Sequence, residues 1–203
     1  MAGSIAHSDR AARLRAVRAF LDVLAGALDF AVSIEPNLPA PASPPEQIPV
    51  CRWWEQALGA ARGPLVAPLA ALGAWLSWTQ NPNYRRRPPH PAFLDNYGYA
   101  VIAGPEDGPP ALARAPGVAL GVLLLGPHTH YPLHAHPAAE VYVTLTPDGE
   151  WWRDEGPWRR EPPGTAIHHA PGVVHATRAG DAPLLAVYVW RGDLATHARL
   201  ERS

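Results

Sequence analysis

His134-Ala135-His136-Pro137-Ala138-Ala139-Glu140, followed by His175 thirty-five residues after Glu140 in Pro171-Gly172-Val173-Val174-His175, is the stretch that decides how this chain reads. Three imidazoles and one carboxylate on short, turn-bounded segments are the ligands a divalent transition metal takes. A hard anionic oxygen among imidazoles favours a catalytic ion over a structural one. Residues two apart share a face of an extended strand, which puts His134 with His136, and Glu140 with Tyr142 and Thr144. The run Glu140-Val141-Tyr142-Val143-Thr144-Leu145 alternates and is rich in β-branched and aromatic residues, so it predicts a strand with one functional face. Seven of the ten histidines lie between His128 and His175, a clustering that composition alone does not account for.

Working outward, short strands are predicted at 99–103, 118–125, 140–146, 150–153, 165–169, 175–178 and 184–190, punctuated by glycine and proline turns. Many short strands at that spacing make a sandwich or barrel, and a double-sheet jelly roll would hold the ligands in its mouth. The fold class expected is mainly β, with a barrel over 85–203 and an N-terminal α-helical extension over 1–84.

That first third reads as helices. Leu14, Val17, Leu21, Leu24 and Leu28 recur at three- and four-residue steps, with Ser8 as N-cap. The proline-rich stretch 35–49 predicts an extended connection. Pro44 or Pro45 is expected to open a second helix bearing Val50, Trp53, Trp54 and Leu58, and Leu65, Leu69, Leu72 and Leu76 mark a third, ended by Asn81-Pro82-Asn83. Trp53, Trp54, Trp75 and Trp78 read as packing anchors, not a ligand cage, and the helices are expected to cover an outer face of the barrel or a partner subunit. An apolar, Trp-bearing layer of this kind makes a homodimer an expectation. Arg85-Arg86-Arg87 ahead of two prolines reads as a solvated linker.

Composition narrows the chemistry. All seventeen basic residues are arginines, so Schiff-base and lysine general-base chemistry are excluded, leaving His, Glu, Asp and Tyr as bases. A net charge of -1 gives no reason to expect nucleic acid or a membrane surface as partner. One cysteine, Cys51, cannot form an intrachain disulfide, and neither a secretory signal nor a spanning apolar stretch is read, so a cytoplasmic protein is expected.

The spacing His134-x-His136-x3-Glu140 resembles the first cupin motif. Gly164 with Pro171-Gly172-x2-His175 resembles the second, and Gly126 and Gly149 lie near the flanking glycines. The spacings depart slightly from the consensus, and Ala179 stands where an Asn often follows the last His, but neither departure touches a proposed ligand. Phe93-Leu94-Asp95-Asn96-Tyr97-Gly98-Tyr99, Tyr131-Pro132-Leu133-His134-Ala135-His136 and Glu140-Val141-Tyr142 more specifically resemble the cupin-type dimethylsulfoniopropionate lyases, over roughly residues 85 to 192. The resemblance implies a cupin double-stranded β-helix and a metal-dependent lyase that releases dimethyl sulfide and acrylate.

A metal set of His134, His136, Glu140 and His175 suits one divalent ion, Fe2+, Zn2+, Mn2+, Co2+ or Ni2+, and leaves open positions for a substrate carboxylate or a water. A carboxylate bound there would acidify its α-proton, so that a base could start a β-elimination. Tyr131 and Tyr142 are the base candidates, because a nearby cation favours phenolate. The lyase resemblance implies the same two positions, and Tyr142 is also a candidate ligand when substrate is absent. A sulfonium needs aromatic surface, for which Tyr188 and Trp190, two apart on one strand, are the substrate-binding candidates, with Trp151 and Trp152 behind them. His128 and His130 read as rim residues, and His169 as a proton shuttle at most. The same ligands also suit an iron-dependent cupin dioxygenase, or a non-catalytic cupin that binds a small acid; elimination differs from the former in needing no oxygen.

Overall fold

The alternation seen in the sequence becomes the two faces of one sheet. The computed structural model describes residues 2–28 and 45–201. In chain order it contains α1 (Ala2–Ala27), a 3-10 turn at Pro49–Trp53, α2 (Trp54–Ala60), α3 (Val66–Leu72), β1 (Trp78–Thr79) and α4 (Pro82–Arg86). The strands that follow are β2 (Tyr97–Gly104), β3 (Ala111–Arg114), β4 (Val118–Leu125), β5 (His130–Ala135), β6 (Ala139–Thr144) and β7 (Gly149–Arg153). Then come β8 (Arg159–Arg160), β9 (Ala166–His169), β10 (His175–Ala179), β11 (Leu184–Arg191) and β12 (Arg199–Leu200).

Two sheets face each other. One runs β1-β2-β4-β11-β6-β9 with β3 beside β2, the other β12-β5-β10-β7-β8. Every pairing is antiparallel except β2 with β3. This is the double-stranded β-helix with a helical N-terminal segment that the resemblance to the cupins implies, and its two sheets are what the spacing of short strands predicts.

The larger sheet is buried on both faces, which is why its central strands read as almost unbroken apolar runs. Ala100, Ile102, Leu120, Val122, Leu124, Val141, Val143, Leu185, Val187 and Val189 point outward and pack under Val17, Phe20, Leu24, Leu65, Leu69 and Leu72 of the helices. The alternate positions, Tyr97, Leu123, Leu125, Tyr142, Ala186 and Tyr188, point inward and form a second core inside the barrel. Trp53, Trp54 and Trp75 pack on the outer core and Trp78 is part of it, with Trp54 and Trp78 meeting edge to face at 5.5 Å between ring centroids. They are anchors between helix and sheet.

Several local expectations are corrected. α1 begins at Ala2, so Ser8 lies inside it and is no cap. Most of the proline-rich connection, including Pro44, lies outside the described residues; Pro45 opens no helix, and Pro49 opens the 3-10 turn instead. Asn81 does not end the third helix, which stops at Leu72 and is separated from it by a 3-10 turn and β1. Its side chain accepts a bond from the Asn83 N–H at 2.9 Å and starts α4, with Pro82 at the first turn where its missing N–H costs nothing. Arg85 and Arg86 are exposed, as expected, but helical. β1 pairs with β2, so a strand from within the first 84 residues completes an edge of the larger sheet. No helix among the described residues is long and apolar enough to cross a membrane.

Candidate metal centre and its cavity

Strand register assembles the site. On the larger sheet Glu140 of β6 lies between Trp190 of β11 and His169 of β9. On the smaller sheet His134 of β5 pairs with His175 of β10. The two rows face each other across the mouth of the barrel. His136 does not share the strand of His134 as the two-residue spacing predicts; β5 stops at Ala135 and His136 stands in the turn to β6. That turn is held from the second motif, where Gly172 donates its N–H to the His136 carbonyl at 2.9 Å. Gly172 has φ 77°, a left-handed conformation that a side chain would strain.

His136, Glu140 and His175 are buried, and their ligand atoms lie within 4.8 Å of one another. His134 is outside that trio, with its ring centroid 4.1 Å from that of His175. All three proposed imidazole ligands have Nδ1 against a backbone carbonyl: His134 on Pro132 at 2.8 Å, His136 on Ala138 at 3.0 Å and His175 on Val173 at 2.9 Å. A carbonyl can only accept, so each Nδ1 carries the proton and each Nε2 of a neutral ring carries a lone pair. Nε2 of His136 and of His175 then sit 3.2 and 3.1 Å from Oε2 of Glu140. Lone pairs converging on a carboxylate oxygen require a positive charge between them, either a proton on a ring or a metal ion. The Nε2 of His175 is buried without a hydrogen-bond partner, as a nitrogen reserved for an ion would be. These residues therefore fit a divalent cation, and backbone carbonyls on the far ring nitrogens are the support that ligating histidines use.

The carboxylate itself is enclosed. Burial would lift the Glu140 carboxyl, but the close imidazoles of His136, His169 and His175 outweigh it and hold it well below the usual carboxylate range. Trp190 donates its indole N–H to Oε1 at 2.5 Å and stacks on His136 at 4.0 Å between centroids. His169 lies 3.3 Å from Oε2 and stacks on His175 at 4.0 Å.

Beside the centre is a cavity of about 80 Å³ lined by Tyr97, Tyr99, Tyr131, Tyr142 and Tyr188, with Trp190 and Glu140 among the residues nearest the histidines. Among the described residues no arginine lines it. Tyr99, Pro109, Leu194 and His197 also border a larger outer hollow of about 340 Å³ that includes Arg85 and Asp107. The sixth tyrosine, Tyr84, reaches the cavity wall through its hydroxyl, 3.2 Å from that of Tyr131. Tyr131 stacks flat on His134, 3.8 Å apart and inclined by 4°. Burial, reinforced by neighbouring phenols, raises Tyr131 well above 10, and burial together with Glu140 does the same to Tyr142. Burial raises Tyr84 above the ordinary phenol value as well.

The residues singled out in the sequence are thus gathered at one place: His136, Glu140 and His175 in the trio, His134 and Tyr131 against it, and Tyr142, Tyr188 and Trp190 on the cavity wall. His169 is expected from the sequence as a proton shuttle at most and not as a partner of Glu140, while Tyr84, Tyr97 and Tyr99 are given no role in the site. Tyr97-x-Tyr99 carries a legible signal, since two aromatic residues at strand spacing share a face. His169 and Tyr84 carry none, because their proximity depends on register and on α4.

The fold and site together define a cupin with a buried histidine–carboxylate centre opening on a phenol-lined cavity. The chain belongs to the dimethylsulfoniopropionate lyase family, a family of carbon–sulfur lyases, whose model matches residues 27–186. It is 38% identical over 104 residues to dimethylsulfoniopropionate lyase DddQ of Ruegeria pomeroyi, an alignment spanning 51% of this chain and 50% of that protein, so it matches about half of that relative's length. The crystal structure of DddQ from the same organism superposes with a TM-score of 0.72 and 27% identity, covering 96% of this chain and 95% of that one. A structure described among the lyases RdDddP and RnDddQII shares the fold, with a TM-score of 0.73, 20% identity and coverage of 97% and 100%.

Proposed function

We propose that this protein cleaves dimethylsulfoniopropionate to dimethyl sulfide and acrylate by β-elimination at a divalent metal held by His136, Glu140 and His175, with His134 as fourth ligand. The observation that carries the reading is the pairing of this buried centre with a cavity walled by phenols and, among the described residues, by no arginine. A sulfonium cannot accept a hydrogen bond, and electron-rich ring faces are the surface that stabilises it. With no guanidinium among the described residues that line the cavity, a cation held by His136, Glu140 and His175 would supply the counter-charge for the substrate carboxylate. When bound, the ion supplies a Lewis acid that orients that carboxylate, acidifies the adjacent α-proton and favours phenolate nearby.

The chain's own residues then do the rest. Tyr131 takes the α-proton, its ring fixed flat on His134 and its hydroxyl held by Tyr84. The C–H electron pair becomes the α,β double bond, the β-carbon–sulfur bond breaks, and sulfur leaves with the carbon–sulfur bonding pair as neutral dimethyl sulfide. Tyr142, next to Glu140, is the second candidate base. Tyr188, with Tyr97 and Tyr99, faces the sulfonium methyls, and substrate enters past Leu194 and His197. On this reading the helical extension over 1–84 covers a metal-bearing barrel over 85–203, a single cysteine is compatible with a cytoplasmic setting, and a homodimer is retained as a proposal.

The test is headspace detection of dimethyl sulfide from purified protein given dimethylsulfoniopropionate, with Fe2+, Mn2+, Zn2+, Co2+ or Ni2+ added in turn, with and without oxygen. Metal-dependent, oxygen-independent release is expected. Release that needs oxygen, or none from metal-loaded protein, overturns the proposal in favour of a dioxygenase or a binding protein.

A further inference from the structure

Trp190 belongs to the cavity wall, yet its indole N–H and one face of its ring are directed at the centre. Its only indole donor is spent on Oε1 of Glu140 at 2.5 Å, and its face lies on His136 with centroids 4.0 Å apart and planes inclined by 28°. Strand register makes this contact deliberate: Trp190 and Glu140 are direct cross-strand partners on β11 and β6. On the opposite flank of Glu140, His169 of β9 faces the other oxygen, Oε2, at 3.3 Å. The two oxygens of one buried carboxylate are thereby made unequal. Oε1 is bound to indole, while Oε2 is the oxygen that lies 3.2 and 3.1 Å from Nε2 of His136 and of His175.

We infer that Trp190 is a positioning residue for the metal centre: its indole N–H occupies Oε1 so that Glu140 presents the single oxygen Oε2, and its ring face fixes the plane of His136. This rests on the metal reading of the site and adds to it the denticity of its only anionic ligand. A carboxylate free to use both oxygens would take an additional coordination position, one that substrate needs. Groups that hold ligands from behind in this way are worth about 10- to 100-fold in metal affinity.

Two variants separate the roles. Trp190→Phe keeps a ring over His136 and removes the N–H; Trp190→Leu removes both. The proteins are stripped of metal, loaded with Co2+, and compared by competition titration for affinity and by visible absorption for coordination number. Both variants are expected to bind Co2+ about 10-fold or more weakly, and to show weaker d–d absorption as Oε1 is released to the ion. A ring that serves only packing or substrate contact leaves Trp190→Phe with wild-type affinity and spectrum and impairs Trp190→Leu alone, which overturns the inference. Wild-type protein that takes up no Co2+ overturns the metal reading and this inference with it. Neither readout depends on turnover, so loss of lyase activity with an intact Co2+ signature counts against the substrate assignment and not against Trp190.

Discussion

Replacing Tyr131 by phenylalanine tests the mechanism most sharply, because the structure separates the hydroxyl from everything else the residue does. The ring stack on His134, at 3.8 Å and 4°, survives the change, so the imidazole stays oriented and metal content is expected to stay at wild-type level. The hydroxyl of Tyr84 loses the partner it has at 3.2 Å. A buried donor left without that bond costs about 1–3 kcal/mol, partly offset because the removed hydroxyl was itself buried and no longer needs satisfying. For a chain of this size that is a fall in Tm of at most roughly 2–12 °C. The catalytic effect is far larger. Removing a general base costs about 10²- to 10⁴-fold in kcat, equivalent to roughly 3–5 kcal/mol of barrier, whereas KM should change little because the metal centre and the cavity rings remain. Dimethyl sulfide release at saturating substrate, metal content and melting temperature are measured on the same preparation, with Tyr142→Phe alongside. Tyr131→Phe protein that keeps more than about a tenth of wild-type kcat refutes the assignment of the base. So does a loss that follows metal content instead of the hydroxyl.

Two further outcomes follow from the fold and the buried rings. Gly121 of β4 is the register partner of Tyr188, and a Cβ there would meet the Ala100 carbonyl, the Tyr188 hydroxyl at 2.5 Å and its ring at 2.7 Å. The carbonyl belongs to the paired strand and cannot yield, so Gly121→Ala is expected to cost about 1–3 kcal/mol and to drive Tyr188 into the cavity, raising KM more than it lowers kcat; unchanged KM and Tm would exclude this account. Burial and the neighbouring His175 hold His134 well below 6.5, and burial lowers His169 as well. Both rings are uncharged in the folded metal-free protein at neutral pH and gain a proton on unfolding below the ordinary histidine pKa. Stability is therefore present above about pH 6.5 and lost as pH falls below it, by about 1.4 kcal/mol per pH unit for each ring. Denaturant midpoints of metal-free protein measured from neutral pH downward test this, and a flat profile between about pH 7 and 5.5 would contradict it.

How much of the site was legible depends on which distances are local. His136, Glu140 and the turn before His175 could be read because ligand spacing and flanking glycines are properties of short segments. The inward parity of Glu140 and Tyr142, and of Tyr188 and Trp190, followed from strand alternation. The strand expected at 118–125 matches β4 residue for residue, because an apolar run between glycines has few other solutions. Element starts fared worse: Ser8 and Pro45 carry the chemistry of a start but lie inside or before helices whose position packing decides.

Trp190 shows where such reading stops. Its side of the strand was evident from parity, and an aromatic residue facing a cavity suggests a ligand contact. Only the pairing of β11 with β6 brings its N–H onto Glu140, fifty residues away in sequence. The same holds for His169, delivered by β9, and for Tyr84, delivered by α4 to the hydroxyl of Tyr131. The amino-acid sequence by itself determined the ligand types, their spacing, the alternation that turns them inward and the apolar stripes that bury both faces of the larger sheet. Tertiary structure alone decided which strands lie side by side and in what register. Periodicity is written residue by residue along one chain segment, whereas register is settled between distant segments by turn geometry and by burial of both faces at once.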